Sequence, residues 1–218
     1  MSAADRDWPL PDRAFHLADE GNWPSIQRTG LHSTAALIAR ARLRGAAAAP
    51  FADYRDRGRC LSTGERIRDQ RPMPPAALRR CLDAGLSPAG WYRLVNAKVF
   101  FWLAVERLNR HLAACAAQPQ RVIAVDLRRL VARHGARAFV TPFNVGNARR
   151  HAAARGRRTF VPLAAWLESR WAAETAPGGA ARARSHRPVE LAIEGAVPDI
   201  MDLIVAVRPI APGERYAD

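Results

Sequence analysis

The sequence predicts an α+β fold, and three observations lead to this prediction. Short candidate strands and short candidate helices alternate irregularly along 218 residues, without the long crossover helices of a doubly wound sheet. Apolar residues make up 49% of the chain, which is ample for a buried core. A chain of this length without internal repeats is most simply one domain. We therefore expect a single domain over 1–218, with its core at about 14–207 and peripheral tails at 1–13 and 208–218.

The first unit, residues 15–34, predicts a short strand ending at His16, a turn and a compact helix. Asn22 is a favourable N-cap, Pro24 suits the first helical turn, and Gly30 fits the position just after the helix. This order places a histidine and a capping asparagine close together at the mouth of a cleft.

The remaining elements follow from periodicity, caps and breakers. Ser33 and Ser87 are the predicted caps of two of the helices. In chain order we predict a helix at 35–43, a mobile surface connection at 45–61, a charge cluster stopped by prolines at 65–75, short helices at 76–82 and 88–94, a strand at 95–102, a helix at 105–115, a strand at 121–126, a helix at 127–132, a strand at 137–140, a basic loop at 141–160, a helix at 163–173, a flexible loop at 176–187, and strands at 189–194 and 203–207.

The formal net charge is +14, and it has two explanations. A strongly basic chain attracts nucleic acid through phosphate neutralisation. Coding bias explains the charge equally well, because all but one of the basic residues are arginine and alanine is abundant. The exception is Lys98, which lies in the most aromatic segment. Either this position requires a compact ammonium group, or the lysine is there by chance.

Cysteine usage and hydropathy favour a cytoplasmic protein without a membrane partner. Cys60, Cys81 and Cys115 are odd in number and widely spaced, so they predict no disulfide framework. No stretch has the length of a membrane span, and the first residues contain no apolar signal segment. His111 and Cys115 lie one helical turn apart but have no partner ligands, so we expect no metal site.

The last strands carry the clearest pattern of faces. In a strand at 189–194, Glu190 shares a face with the small residue Ala192, which leaves room for a ligand beside the carboxylate. In the strand at 95–102, alternation separates a polar and aromatic face from an apolar face. The first of these faces contains Asn96, Lys98, Phe100 and Trp102.

Taken in order, these segments resemble the DarT-type members of the ADP-ribosyltransferase (ART) superfamily. The residues that carry the resemblance are His16, Asn22, Pro24, Ser25, Ile26, Gly30 and Leu31 near the start, and Glu190, Ile193, Val197, Pro198 and Ile200 near the end. The resemblance implies an ART-like split β-sheet core, short surrounding helices and a central cleft that binds NAD as a substrate.

The resemblance also assigns roles by position. It implies that Glu190 is catalytic and that an arginine of the 65–75 segment pairs with the pyrophosphate of NAD. We favour Arg68, although Arg71 is equally placed. The expected NAD-binding residues are His16, Asn22, Leu31, Arg71, Asn96, Lys98, Phe100 and Trp102.

A single carboxylate suits the implied chemistry. Cleavage of the nicotinamide–ribose bond develops positive charge as glycoside cleavage does, and a carboxylate stabilises that charge most strongly in the transition state. It can also act as a general base toward the acceptor. No metal ion is needed for this reaction.

Two departures from the family argue for a side family. Ala18 replaces the usual threonine two residues after the strand histidine, and the segment 143–147 matches the Asp-Gly-Asn loop only loosely. The leading hypothesis is an ADP-ribosyltransferase-like enzyme with a DNA or RNA acceptor. The alternatives are a non-enzymatic basic nucleic-acid-binding module, in which the 141–160 and 176–187 loops meet phosphates, and an RNA 2′-phosphotransferase-like enzyme on the same scaffold.

Overall fold

A computed structural model describes residues 8–115, 117–149, 152–174 and 182–217, and it has a large antiparallel sheet at its centre. The strands are β1 (Arg13–Asp19), β2 (Leu31–His32), β3 (Arg59–Cys60), β4 (Arg66–Ile67), β5 (Lys98–Trp102), β6 (Gln120–Asp126), β7 (Ala138–Thr141), β8 (Val161–Pro162), β9 (Glu190–Glu194), β10 (Ala196–Val197) and β11 (Ile204–Ile210). Seven of them form one sheet in the order β11-β6-β1-β5-β9-β7-β8, while β2 pairs with β10 and β3 pairs with β4.

Short helices surround this sheet. They are α1 (Trp23–Thr29), α2 (Thr34–Arg40), α3 (Gly45–Ala52), α4 (Pro75–Arg79), α5 (Pro88–Asn96), α6 (Val105–Ala114), α7 (Leu127–His134) and α8 (Leu163–Ser169). Five short 3-10 turns complete the described elements, at Glu20–Asn22, Gly135–Arg137, Arg157–Thr159, Arg170–Ala173 and Ile200–Asp202. The prediction of an α+β fold is confirmed.

The junction between β1 and β5 has the fewest paired residues in the sheet, and we call it the narrow junction. β1 pairs with β6 along its whole length, and β5 pairs with β9 along its whole length. Between β1 and β5, in contrast, only Phe15 and Trp102 are in register. The sheet therefore consists of two well-paired halves that meet at a single pair of residues.

The two faces of β5 and β9 differ as alternation predicts. Val99, Phe101 and Leu191 point into the main apolar core. Trp102 lies opposite Glu190, and Phe100 lies opposite Ala192, on the other face of the sheet. The carboxylate therefore stands beside a small residue and an aromatic strand.

Several local predictions are wrong. β1 continues past His16 to Asp19, because these residues keep pairing with β6. Residues 45–61 are not a mobile connection but contain α3 and β3. Asn96 ends α5 and is not part of the strand, which begins at Lys98. Asn22 precedes α1 without a capping hydrogen bond from its side chain.

Other local predictions agree with the structure. The hydroxyl of Ser33 accepts from the backbone N–H of Ala36, and that of Ser87 accepts from Gly90, so both serines cap their helices. Parts of the two predicted loops, at 150–151 and 176–181, lie outside the described residues. Within the described ranges, no helix has the length and apolarity needed to cross a membrane.

Gly30 lies at the end of α1, where the backbone packs closely against the end of β10. Its φ is +83°, and a Cβ there would lie 2.4 Å from Pro198 Cα and 2.5 Å from the carbonyl oxygen of Val197. We predict that Gly30→Ala lowers the free energy of unfolding by more than ~3 kcal/mol, since backbone strain adds to a backbone clash. Chemical denaturation measures this change.

Gly213→Ala is the matched control. Gly213 has a φ of +82°, and a Cβ there would have open space around it. Gly213→Ala should therefore lower the free energy of unfolding only by the strain of an alanine in a left-handed backbone conformation, roughly 1–2 kcal/mol. Equal destabilisation by the two substitutions would contradict the proposed close packing at Gly30.

Candidate functional site

A cleft of about 730 Å³ opens beside the narrow junction of the sheet. Its wall includes side chains from β1, β5 and β9, from α6, and from the segment after β4. All ten predicted site residues line it: His16, Asn22, Leu31, Arg68, Arg71, Asn96, Lys98, Phe100, Trp102 and Glu190. The structure thus brings together residues that are up to 174 positions apart in sequence, counted from His16 to Glu190.

Glu190 is the most deeply buried acidic group of the cleft, with 4% of its surface exposed. The Thr141 hydroxyl donates to its Oε2 at 2.8 Å, and the Val145 backbone N–H donates to the same oxygen at 3.1 Å. Among the residues that the structure describes, none donates to Oε1. One oxygen is thus fixed by the protein, and the other remains available for a ligand in the cleft.

Burial raises the pKa of Glu190 to about 7. The Val145 and Thr141 hydrogen bonds and the charges of Arg155 and Arg107 all act in the opposite direction, but desolvation is the larger effect. A carboxyl group that titrates near neutrality exchanges a proton readily at physiological pH, as a general base must.

Arg155 holds the loop that supplies the Val145 amide. Its side chain is 2% exposed and lies between aromatic rings, with its guanidinium carbon 4.9 Å from the centre of Phe143 and 5.6 Å from that of Trp91. Nη1 donates to the Val145 carbonyl at 3.2 Å, and Nε donates to the Ala153 carbonyl at 3.1 Å. The same residue thus fixes the loop and places a positive charge near Glu190.

His16 lies where the two halves of the sheet separate. Its Nδ1 is 2.9 Å from the Phe100 carbonyl oxygen, so Nδ1 carries the proton and donates. Burial lowers the pKa of His16 to about 4, and the nearby charge of Arg68 lowers it further, against the effect of the Phe100 carbonyl. The ring is therefore neutral at physiological pH and connects β1 to β5 beyond their single register pair.

Trp102 and His111 form a second polar contact in the cleft. The Trp102 indole N–H donates to His111 Nδ1 at 3.2 Å. Burial lowers the pKa of His111 to about 3, and the charges of Arg68 and His16 add to this effect. His111 is therefore neutral, with its proton on Nε2.

The two arginines proposed for phosphate binding differ in their freedom. Arg68 donates to the Leu17 carbonyl and to the Gln120 side chain, and its Nη1 lies 3.0 Å from Cys115 Sγ. The side chain of Arg71 is 66% exposed and forms a loose ion pair with Asp69 at 3.6 Å. Arg71 is accordingly freer to meet an anion, while Arg68 keeps its charge beside the two histidines.

The two asparagines of the cleft wall have structural partners. Asn22 exchanges two hydrogen bonds with the backbone of Arg66, at 2.8 and 2.9 Å. Asn96 Oδ1 accepts from Arg55 and Gln70, and its amide donates to the Ala52 carbonyl. Both side chains fix the segment that carries Arg68 and Arg71 to the rest of the protein.

Lys98 occupies an aromatic box on the same wall. Its Nζ lies 5.0 Å from the ring centre of Phe139 and 4.8 Å from that of Phe160. The Leu94 carbonyl accepts from it at 3.4 Å, and Glu194 lies 4.0 Å away. Burial lowers the pKa of Lys98, and Glu194 acts against this. The single lysine thus fills a compact site between two rings.

Sequence reasoning missed four residues that build the site. Arg107 was not predicted because the sequence of α6 indicates its apolar face alone, and His111 was considered only as a metal ligand. Arg155 was predicted to lie in a basic loop that could meet phosphates, but its side chain is buried. Arg55 lies in the segment predicted to be mobile, yet it is 4% exposed and its pKa is lowered to about 10 by burial. No spacing signal distinguishes a buried arginine from an exposed one in so arginine-rich a chain.

Metal ligands are not grouped in the described part of the chain, where no three His, Cys, Asp or Glu side chains come together. The cysteines described there are free thiols.

Arg155→Met tests the support of Glu190. It removes a positive charge and loosens the loop that supplies the Val145 amide, and both changes favour the protonated carboxyl. We therefore expect the Glu190 pKa to move above about 7. A carbon NMR titration of the glutamate side chains measures the shift. Arg155→Lys keeps the positive charge, so it should shift the Glu190 pKa less than Arg155→Met does. Arg157→Met changes an exposed neighbouring residue and should leave the Glu190 pKa unaltered.

Comparison with known proteins assigns the chain to a family. Residues 12–204 match the family of unknown function DUF7002, a range that includes all ten predicted cleft residues. Neither the curated proteins nor the solved structures contain a match to the sequence. The matched range covers most of the 218 residues, and the chain therefore belongs to the DUF7002 family.

Proposed function

We propose that this protein is an NAD-dependent ADP-ribosyltransferase-like enzyme and that Glu190 is its catalytic carboxylate. The observation that carries the proposal is the setting of Glu190: one oxygen is fixed by Thr141 and Val145, and the other is unpartnered among the described residues, in a cleft of about 730 Å³. Pockets that bind small molecules or cofactors typically have volumes of several hundred cubic ångströms, and this cleft falls in that range.

The proposed reaction needs one charged group at the ribose. The bond between the nicotinamide nitrogen and the ribose carbon breaks, and its electron pair leaves with nicotinamide. Glu190 stabilises the positive charge that develops on the ribose. The acceptor then donates a lone pair to that carbon, and its proton passes to the Glu190 carboxylate.

The other cleft residues are given binding roles. Arg71 meets the pyrophosphate of NAD, because its side chain is the more exposed of the two candidate arginines. Phe100 and Trp102 offer aromatic surface to the nicotinamide or adenine ring. His16, Asn22 and Leu31 form the wall that holds the rest of the dinucleotide, and Asn96, Lys98 and Arg68 keep this wall in place.

A nucleic-acid acceptor suits the charge at the cleft. Arg107, Arg110 and Arg149 line it and are exposed, and the charge of Arg107 acts on Glu190. With a net charge of +14, phosphate contacts are electrostatically favourable. The same arginines would serve a binding module without catalysis, which is the alternative function, and a DNA or RNA partner is common to both.

Glu190→Gln tests catalysis directly. Glutamine can still accept from Thr141 and Val145 but lacks the negative charge, so we expect transfer to fall by on the order of 100–1000-fold. NAD binding should persist, because the lost contact strengthens mainly in the transition state. Labelled NAD with DNA, RNA and protein acceptors measures transfer, and calorimetry measures binding.

Glu194→Gln is the matched control on the same strand, since the side chain of Glu194 is 55% exposed. It should transfer at the wild-type rate. A folded Glu190→Gln protein with undiminished transfer would refute the mechanism. Tight nucleic-acid binding without transfer to any acceptor would favour the binding module.

Ionic strength tests the acceptor class. If the cleft arginines contact phosphates, the logarithm of the affinity for DNA or RNA should fall linearly with the logarithm of salt concentration, at a slope of about −0.9 for each duplex phosphate neutralised. Fluorescence anisotropy measures this slope. Arg107→Ala together with Arg149→Ala should make it shallower, whereas Arg129→Ala on α7, which is not part of the cleft wall, should not.

A further inference from the structure

The two oxygens of the Glu190 carboxyl group are unequal. Oε2 accepts two hydrogen bonds, from the Thr141 hydroxyl at 2.8 Å and from the Val145 backbone N–H at 3.1 Å. Oε1 accepts none from the residues that the structure describes, and it is not one of the fully buried polar atoms that lack a partner. Because Glu190 lines the cleft, Oε1 is the oxygen that a ligand can reach.

This inequality decides which oxygen carries the proton when Glu190 is neutral. Two hydrogen bonds already occupy lone pairs of Oε2, so Oε2 is the weaker base. A proton on Oε2 would also have to displace or weaken one of these bonds, at the cost of a poorly paired buried donor. The acid proton therefore lies on Oε1, where it faces the cleft.

Thr141 offers one competing arrangement. Its hydroxyl also lies 3.0 Å from the Phe143 carbonyl oxygen. Since the hydroxyl has a single proton, it can donate to Phe143 and accept a proton from Glu190 Oε2 instead. The Val145 N–H would then point at a hydroxyl oxygen, which is a poorer acceptor than a carbonyl oxygen. The Val145 hydrogen bond thus favours the proton on Oε1.

Both forms of Glu190 are present near neutrality. Arg155 and Arg107 are the charged groups that act on it, and both favour the ionised form, yet burial raises its pKa to about 7. The residues opposite it on the flanking strands are Trp102 and Thr141, which do not titrate in this range. The same cleft-facing oxygen is therefore a base in one form and an acid in the other.

We propose that neutral Glu190 acts as a general acid, so that the cleft also hydrolyses O- and N-glycosides of ADP-ribose whose leaving group must be protonated. The identity of the sugar rests on the proposed function, whereas the position of the proton does not. The ionised form attaches ADP-ribose to an acceptor, and the neutral form removes it. The base of a transfer step is the acid of its reverse, as in retaining glycosidases.

The hydrolysis uses water as its only co-reactant. The proton on Oε1 passes to the leaving oxygen or nitrogen atom, and the glycosidic bond breaks with its electron pair going to that atom. The carboxylate formed in this way stabilises the positive charge on the ribose. Water then adds to the ribose carbon and loses a proton to Oε1. ADP-ribose and the free acceptor are the products, and Glu190 is neutral again.

Two synthetic glycosides of ADP-ribose test the acid role. Methanol leaves from the methyl glycoside only if it is protonated, whereas para-nitrophenol leaves from its glycoside as a stable anion. Below neutrality the side chain at this position is uncharged before and after Glu190→Gln, so the substitution removes only the transferable proton. We expect it to slow hydrolysis of the methyl glycoside by roughly 100–10,000-fold, and that of the para-nitrophenyl glycoside by less than ~10-fold.

The pH profiles of hydrolysis and transfer should run in opposite directions. Because the pKa of Glu190 is about 7, its neutral form prevails below this pH and its ionised form above it. The kcat/KM for the methyl glycoside should fall ~10-fold for each pH unit above the pKa, and that for transfer from NAD should fall ~10-fold for each unit below it. Glu194→Gln, at an exposed residue of the same strand, should alter neither profile.

Infrared difference spectra taken below and above neutrality locate the proton. The carboxyl band of Glu190 is the one that Glu190→Gln removes. With the proton on Oε1, the carbonyl oxygen is Oε2, and its two hydrogen bonds lower the stretching frequency. Thr141→Val removes one of these bonds and should raise the frequency, while Thr141→Ser should restore it. A fall or no change in Thr141→Val would overturn the assignment to Oε1.

The kinetic outcomes separate the two proposals. Equal losses for both glycosides in Glu190→Gln, or parallel pH profiles, overturn the acid role, provided that calorimetry shows the variant still binds ADP-ribose. Transfer from NAD without hydrolysis of the methyl glycoside at any pH refutes only the acid role. Hydrolysis without transfer refutes only the proposed function, and absence of both reactions refutes both.

Discussion

The burial of the Glu190 carboxylate is the constraint on which the rest of the site depends. A carboxylate with 4% exposure is stable only if nearby dipoles and charges replace its lost hydration. Thr141 and the Val145 amide bond to one oxygen, and the buried Arg155 holds the loop that contains this amide. The remaining desolvation is not offset, and it appears as a pKa of about 7. The fold thus keeps a group poised between its charged and neutral forms, which a purely structural ion pair would not do.

The narrow junction of the sheet makes room for this arrangement. Because β1 and β5 share only the register pair of Phe15 and Trp102, a side chain can enter between them. His16 enters there and bonds to the Phe100 carbonyl, which would bond to a backbone N–H in a continuous sheet. The same separation lets the cleft reach the face of β5 and β9 that carries Trp102 and Glu190. The sheet therefore lacks backbone hydrogen bonds between β1 and β5, and the gap that they would fill opens into the binding cavity.

The sequence predicted the parts of the site that depend on local periodicity. Alternation along β9 placed Glu190 beside Ala192, and alternation along β5 placed Phe100 and Trp102 on the same face of the sheet as that pair. Asn96 was assigned to the strand because nothing in the sequence between Val95 and Lys98 marks the end of α5. Arg55 and Arg155 could not be predicted, since their burial depends on aromatic rings and carbonyl groups from distant segments. Local patterns determine the face of a strand, whereas tertiary contacts determine which of many arginines is buried.

Arginine has two different roles in this chain, and the net charge conceals the difference. Arg55, Arg68 and Arg155 donate mainly to carbonyl and amide oxygens of the protein, and so they act as cross-links with a fixed charge. Burial is the main cause of the low pKa values of His16 and His111, and the charge of Arg68 adds to it, whereas the charge of Arg155 opposes the rise of the Glu190 pKa. Arg71, Arg107 and Arg149 are exposed and can meet a ligand. A chain with a net charge of +14 therefore has fewer arginines available for phosphate than its composition indicates, and Arg71, Arg107 and Arg149 line the cleft that also contains the proposed catalytic carboxylate.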